Sequence, residues 1–305
     1  MTIHSNREQN VASSSSPRSS EAREKARQIA AKQSSRKTSG LWWQISSVVL
    51  VVIIIGVIAA VYQHNKKSEI PDSGPVASSS NQYGGIVVTK DGIKKDTSDV
   101  DTRDINDLKT SKETGPADDQ SNGKPATLPV GMPSEQDAKK NGEPVKVTIF
   151  QDYNCIHCAE FEKSNGEQLK KQVMDGQIQL EIRNLNFLDQ ETSTEYSSRA
   201  AMAAYSVAEQ VSPEKFLDWQ EEMMSHQGQG GMNNQKLADI AKKYGADIKS
   251  DLDNNKYRPL VNVTVKESQN NGISGTPTIY ADSQKYGNGS FSDFLSGVIK
   301  GKSGK

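Results

Sequence analysis

The sequence predicts an α/β domain with a helical insertion, preceded by one transmembrane helix and a disordered linker. Three observations lead there. From about residue 143 onward, strand-like and helix-like stretches alternate, with a block of helical pattern in the middle. Residues 41–62, LWWQISSVVLVVIIIGVIAAVY, form an apolar run, and no charge occurs between Lys37 and Lys66. The segment between these two parts is rich in Ser, Gly, Pro, Asp and Asn. A mean hydropathy of −0.70 with 33% hydrophobic residues fits a chain that is part densely apolar and part polar linker.

Residues 1–40 carry eight Lys/Arg against three Asp/Glu, although the whole chain has a net charge of −1. A basic arm beside a neutral block points to a membrane rather than to nucleic acid. Within the arm, residues 21–32, EAREKARQIAAK, read as a short basic helix on anionic lipid or as a solvated arm. Twenty-two helical residues reach about 33 Å, enough for a hydrocarbon core of about 30 Å. Trp42 and Trp43 at one end and Tyr62 at the other suit the two interfaces. The run is longer than the apolar core of a signal peptide, and no A-x-A site follows it. Basic residues crowd its N-terminal flank, with only Lys66 and Lys67 beyond the other. The expected topology is therefore a single pass through the cell membrane at residues 41–63, with arm 1–40 cytoplasmic and the rest extracytoplasmic.

Residues 64–142 read as a flexible linker. Within it, GGIVVTKDGIKK contains a β-branched run and the hairpin dipeptide Asp91-Gly92, so a strand is possible at 86–93. The acidic run DVDTRDIND, residues 99–107, lacks the spacing and the glycine of a calcium loop and reads as solvated. The folded domain is expected over 143–305. VKVTIF, residues 145–150, is a strand leading straight into DYNCIHCAEFE. A helix follows from Cys155, with Phe161, Leu169 and Val173 on one face and a kink or break near Asn165-Gly166. IQLEIRNL is the next strand, and SSRAAMAAYSVAEQ is an Ala-rich helix. Ser212-Pro213 caps a helix bearing Phe216, Trp219 and Met223. HQGQGG, residues 226–231, reads as a connection, with His226 a surface residue. Leu237, Ile240, Ala241 and Tyr244 mark a helix closed by Gly245. A further helix surrounds Val261 and Val265. GISGTPTIY then gives a turn and a strand, and Ser290 with Asp293 starts the last helix.

CIHC after a strand, the Phe161-Glu162 pair behind it, the helical block and Gly275-Thr276-Pro277 before a strand together carry a resemblance. Over roughly residues 145–300 the sequence resembles the DsbA-like members of the thioredoxin superfamily. The resemblance implies a thioredoxin-like fold with a helical insertion. It also implies a cis peptide before Pro277 that faces the Cys pair, leaves the Thr276 backbone free to bind an extended peptide, and puts Thr276 in reach of Cys155.

Cys155 and Cys158 are the chain's two cysteines. At a helix start, the first thiol lies by unpaired N–H groups and the positive helix end, which favour thiolate. The second lies one turn on, on the same face, where it can resolve a mixed disulfide. Cys155 is thus the expected nucleophile and Cys158 the resolving thiol, with His157 able to support the Cys155 thiolate when protonated. A structural disulfide over so short a loop would stabilise little. Zinc would need about four ligands and only His157 lies nearby; haem attachment would need His where Ala159 stands. No metal and no cofactor is expected.

Two departures from the family pattern matter. Ile156 follows the first Cys where relatives often have Pro, and Ile149 stands where many carry a buried acid. That leaves Asp152, Glu160 and Glu162 as candidate proton acceptors for Cys158, with Asp152 first because it ends the strand, and each also readable as an ordinary surface carboxylate. The leading function is a membrane-tethered thiol–disulfide oxidoreductase that oxidises cysteines of exported proteins. Its partners would be reduced or misoxidised exported proteins and a membrane redox protein that recycles it. A reductase or isomerase on the same fold, or a non-catalytic peptide-binding module, are the alternatives.

Overall fold

The computed structural model describes residues 24, 25, 27, 28 and 70–303, apart from 96, 118–124, 192 and 230. The chain divides into two units, Met1–Glu69 and Ile70–Lys305. In the first, residues 24, 25, 27 and 28 are helical, inside the stretch read as a basic helix or a solvated arm. The expected membrane span at 41–63 lies outside the described residues. Among the described residues no helix is long and apolar enough to cross a membrane.

The second unit opens with short strands: β1 (Ser73–Pro75), β2 (Gly85–Thr89), β3 (Gly92–Ile93), β4 (Thr102–Asp104), β5 (Thr114–Ala117) and β6 (Pro125–Thr127). Helix α1 (Glu135–Lys140) precedes β7 (Val145–Gln151), which runs into α2 (Ile156–Met174) and then β8 (Ile178–Asn184). Five helices follow: α3 (Tyr196–Ala208), α4 (Pro213–Ser225), α5 (Asn234–Tyr244), α6 (Lys249–Asp253) and α7 (Arg258–Asn270). The chain returns through β9 (Thr278–Ala281) and β10 (Gln284–Lys285) to α8 (Phe291–Ser303).

The main sheet has the order β10-β9-β7-β8-β2-β3. Only β7 and β8 pair in parallel, joined by α2 as a crossover; β9 and β2 flank them antiparallel. Their central position explains their sequences. Six of the seven β7 residues and all seven of β8 are buried, as expected of strands covered on both faces. The Ala-rich α3 is buried all round except at Arg199, so its small residues let neighbouring helices close upon it. Helix α4 starts at the Ser212 cap with Pro213 in its first turn, and α5 ends at left-handed Gly245.

Two expectations are corrected. Helix α2 runs unbroken through Gly166 for 19 residues. A glycine costs a helix only about 1 kcal/mol, and this one has a local purpose: a Cβ at 166 would lie 2.7 Å from Glu162 Oε1, so the bare backbone leaves room for that carboxylate.

The second concerns the linker. Residues 70–117 and 125–140, read as linker, form part of the compact unit. Strand β2 lies between β8 and β3 in the main sheet, and its Ile86 and Val88 are fully buried. The run 99–107, read as solvated, contains β4, paired with β1. Its Arg103 is 3% exposed and binds Glu267 of α7 at 2.7 Å. Few apolar residues are needed there because an ion pair and backbone pairing fasten the segment.

Candidate active site

Strand β7 ends at Gln151, and residues 152–155 turn the chain into α2. Hydrogen bonds within the turn and from Leu188 and Gln227 hold it. The Cys155 N–H donates to the Asp152 carbonyl at 3.0 Å, and the Asn154 N–H donates to Asp152 Oδ1 at 2.8 Å. The other carboxylate oxygen, Oδ2, accepts the Leu188 N–H at 3.0 Å. Gln227 Nε2 donates to the Asn154 carbonyl at 3.0 Å. Tyr153, fully buried, stacks edge-on against Trp219 and donates its hydroxyl to Gln220.

Cys155 is the N-cap of α2. Both thiols are free and both are largely buried, Cys155 at 7% and Cys158 at 3% exposure. Their environments differ sharply. Cys155 is lowered to about 5, first by the hydrogen bond from Cys158. Burial opposes this; the Thr276 side chain and the N–H groups of Cys158 and His157 assist. Cys158 is pushed far above the usual thiol range by its hydrogen bond to Cys155, by burial, and by the charge on Cys155. One thiol is thus built to carry the negative charge and the other to remain protonated.

The peptide Thr276-Pro277 is cis, and the Thr276 carbonyl accepts the Cys155 thiol at 3.2 Å. Thr276 and Pro277 thus stand beside the cysteines, 121 positions away in sequence. His157 faces solvent, where its ring nitrogen meets Glu160 at 3.1 Å. Among the described residues no cluster of three or more His, Cys, Asp or Glu could hold a metal ion.

The candidate acids separate by environment. Glu160 is exposed. Asp152 is not a surface carboxylate but wholly buried; burial pushes it up to about 6 against the hydrogen bonds from the Leu188 and Asn154 N–H groups. Glu162 is half-buried over Gly166. Burial, then the nearby Glu221 charge, push it up to about 7, opposed by a hydrogen bond with Gln220. It faces a narrow cleft beside Ile149, Gln151, Gly166 and Lys170. The sequence reading missed the contacts of Gln227 and Leu188. Each is a single bond from a distant segment, and no local pattern announces it.

Solved structures that resemble this chain include reduced DsbA from Mycobacterium tuberculosis (23% identity, TM-score 0.47, 59% of this chain and 89% of that one). BdbD from Bacillus subtilis, in its oxidised form, is similar at 24% identity and TM-score 0.48, over 58% of this chain and 99% of that one. Among curated proteins, the serine/threonine-protein kinase PknE of Mycobacterium tuberculosis is 28% identical over 150 residues, 45% of this chain. The chain spans about a quarter of that kinase's length, 26%. A family model described as Thioredoxin matches residues 140–300. Matched over more than half its length, from the approach to β7 to the last helix, the chain belongs to the thioredoxin family.

Proposed function

We propose that this protein is a thiol–disulfide oxidoreductase that hands its Cys155–Cys158 disulfide to cysteines of exported proteins. The observation that carries the reading is the opposed pair of thiols, one lowered to about 5 and the other raised, at the start of α2. A substrate thiolate attacks Cys155 Sγ and the Cys155–Cys158 bond breaks, leaving Cys158 as a thiolate that takes up a proton. A second substrate thiolate then attacks the sulfur already bonded to Cys155. The substrate disulfide forms, and Cys155 leaves as a stabilised thiolate. Stabilising the reduced form makes the disulfide easier to reduce, so the protein acts as an oxidant.

Glu162 is the group we propose to give and take the Cys158 proton. It follows Cys158 by one helical turn, whereas both oxygens of Asp152 already hold backbone N–H groups. The apolar run 41–63 and its basic flank support a membrane tether with an extracytoplasmic catalytic domain, recycled by a membrane redox partner. Protease treatment of intact cells should digest residues beyond 63 and spare arm 1–40; the opposite pattern overturns the topology. Mixing the oxidised full chain with a reduced two-cysteine peptide tests the chemistry. The peptide should be oxidised stoichiometrically, and Cys155→Ser should abolish the reaction. If Cys155→Ser protein oxidises the peptide equally well, the reading is lost. If wild-type protein reduces oxidised peptide in preference, the reductase alternative takes its place. If a double Cys→Ser variant keeps the cellular role, the binding-module alternative does.

A further inference from the structure

The loop HQGQGG reads in sequence as a plain connection between helices, yet it touches the active site. Its residue Gln227 is half-buried, and its side chain reaches the carbonyl of Asn154, directly before the nucleophile. The loop is shaped to deliver that side chain. Gly228 and Gly231 both lie at left-handed φ, 78° and 80°. A Cβ at Gly231 would approach Thr194 Oγ1 to 3.0 Å and Tyr196 Cβ to 3.1 Å, so the loop folds closely onto the start of α3. Arg199 fastens the far end by donating to the Met232 carbonyl. At the near end the Gln227 N–H donates to Met224 at 3.2 Å, and His226 Nδ1 meets Gln229 Oε1 at 3.0 Å. The neighbouring Gln229 is exposed and makes no bond to the Asn154 carbonyl.

We infer that Gln227 is a positioning residue for Cys155: its amide holds the Asn154 carbonyl and so fixes the peptide unit that carries the nucleophile. This peptide unit is pinned at both poles. Its N–H, on Cys155, donates to the Asp152 carbonyl, and its C=O, on Asn154, accepts from Gln227. A carbonyl is the negative end of the peptide dipole, and this one belongs to the residue next to the thiolate. An amide N–H placed on it offsets that negative end and prevents the unit from turning its oxygen toward sulfur. Asp152 ties the same turn to Leu188, so the turn is held to the segment around the helical insertion at two points. Of the two, only Gln227 acts on the Asn154–Cys155 peptide by a side-chain donor. The titratable groups on the elements that meet here are Asp152 in the turn, with Asp189 beside it, Cys158, His157, Glu160 and Glu162 on α2, and the His226–Glu222 pair at the base of the loop.

The inference rests on the reading of Cys155 as the nucleophile, and the test separates the two. The experiment is alkylation of Cys155 by iodoacetamide across pH in the reduced full chain, with the rate reporting the thiolate. It is done for wild type, Gln227→Met, Gln227→Glu and Gln229→Met, with folding checked by circular dichroism. Gln227→Met keeps the chain length and removes the donor; a lost hydrogen bond predicts a roughly three- to ten-fold smaller thiolate fraction in the titration range. Gln227→Glu removes the donor and adds a negative charge, so its loss should be larger. Gln229→Met should titrate as wild type does. A Gln227→Met protein that is folded and titrates as wild type overturns the inference and leaves the proposed function standing. A wild-type Cys155 that titrates as an ordinary thiol overturns both.

Discussion

Two wholly buried carboxylates on the main sheet meet opposite fates. Glu181, in β8, sits among cations: Arg183 Nε at 2.8 Å and Lys146 Nζ at 3.1 Å, with hydrogen bonds from Asn81 and Thr148. Burial works against its charge, yet Arg183 and Lys146 outweigh it and hold the carboxyl well below the usual range. Asp152, just past the end of β7, is equally buried but is held by N–H donors alone, and it rises to about 6. Burial alone therefore predicts neither case; the partner decides. In the middle of the sheet, Glu181 uses charges to tie β7 and β8 together. At the start of α2, Cys155 is stabilised instead by the Cys158 thiol, helped by helix N–H groups, so a thiolate is favoured without a fixed counter-charge.

The comparison can be broken from the largest effect downward. At the active-site end, Cys155→Ser should remove all exchange with a disulfide substrate. Cys158→Ser should instead accumulate a mixed disulfide at Cys155, visible by mass spectrometry of the intact protein. Away from the active site, Arg103→Met leaves the buried Glu267 without its cation, with only the Lys109 N–H still donating to it. It should cost about 3–5 kcal/mol in denaturant unfolding. A loss under about 1 kcal/mol would mean that the segment around β4 is only loosely attached.

Asp152 makes stability depend on pH. Its native value, about 6, lies above the ordinary 3.8, so the native state binds more protons than the unfolded chain between those values. The contribution of the protonated form is complete below pH 3.8 and is lost as pH rises through about 6. Relative to Asp152→Asn, wild type should therefore lose stability between about pH 4 and 6, by at most about 3 kcal/mol, and then level off. A flat difference across that window would show that the donors from Asn154 and Leu188 fully compensate burial. A smaller effect is expected at Gly166. Gly166→Ala gains helix propensity of up to about 1 kcal/mol but drives a Cβ against the Glu162 carboxylate. The pH dependence of Cys158-linked exchange should shift although stability holds or rises.

Much of this was legible in the sequence because it is local. The strand into CIHC, the helix from Cys155, the caps at Ser212 and Ser290 and the Gly275-Thr276-Pro277 turn all lie in short patterns. The early strands were not legible. Arg103 finds its partner Glu267 at a separation of 164 residues, and a lone arginine in an acidic run looks solvated until that partner is known. Asp152 was named as a candidate acid, but its complete burial depends on Leu188 and Ser197, brought in by the helical insertion. Gln227 carried no signal at all, since one amide in a Gly-rich loop resembles any connection.

The central claim is that the two thiols are held unequally so that the reduced form is favoured. The most direct measurement is the reduction potential of the Cys155–Cys158 couple in the full chain, equilibrated against glutathione. A value toward the strongly oxidising end, about −120 mV, is the predicted result. A value near about −270 mV would contradict it, because the disulfide would then be the favoured form and the protein a reductant.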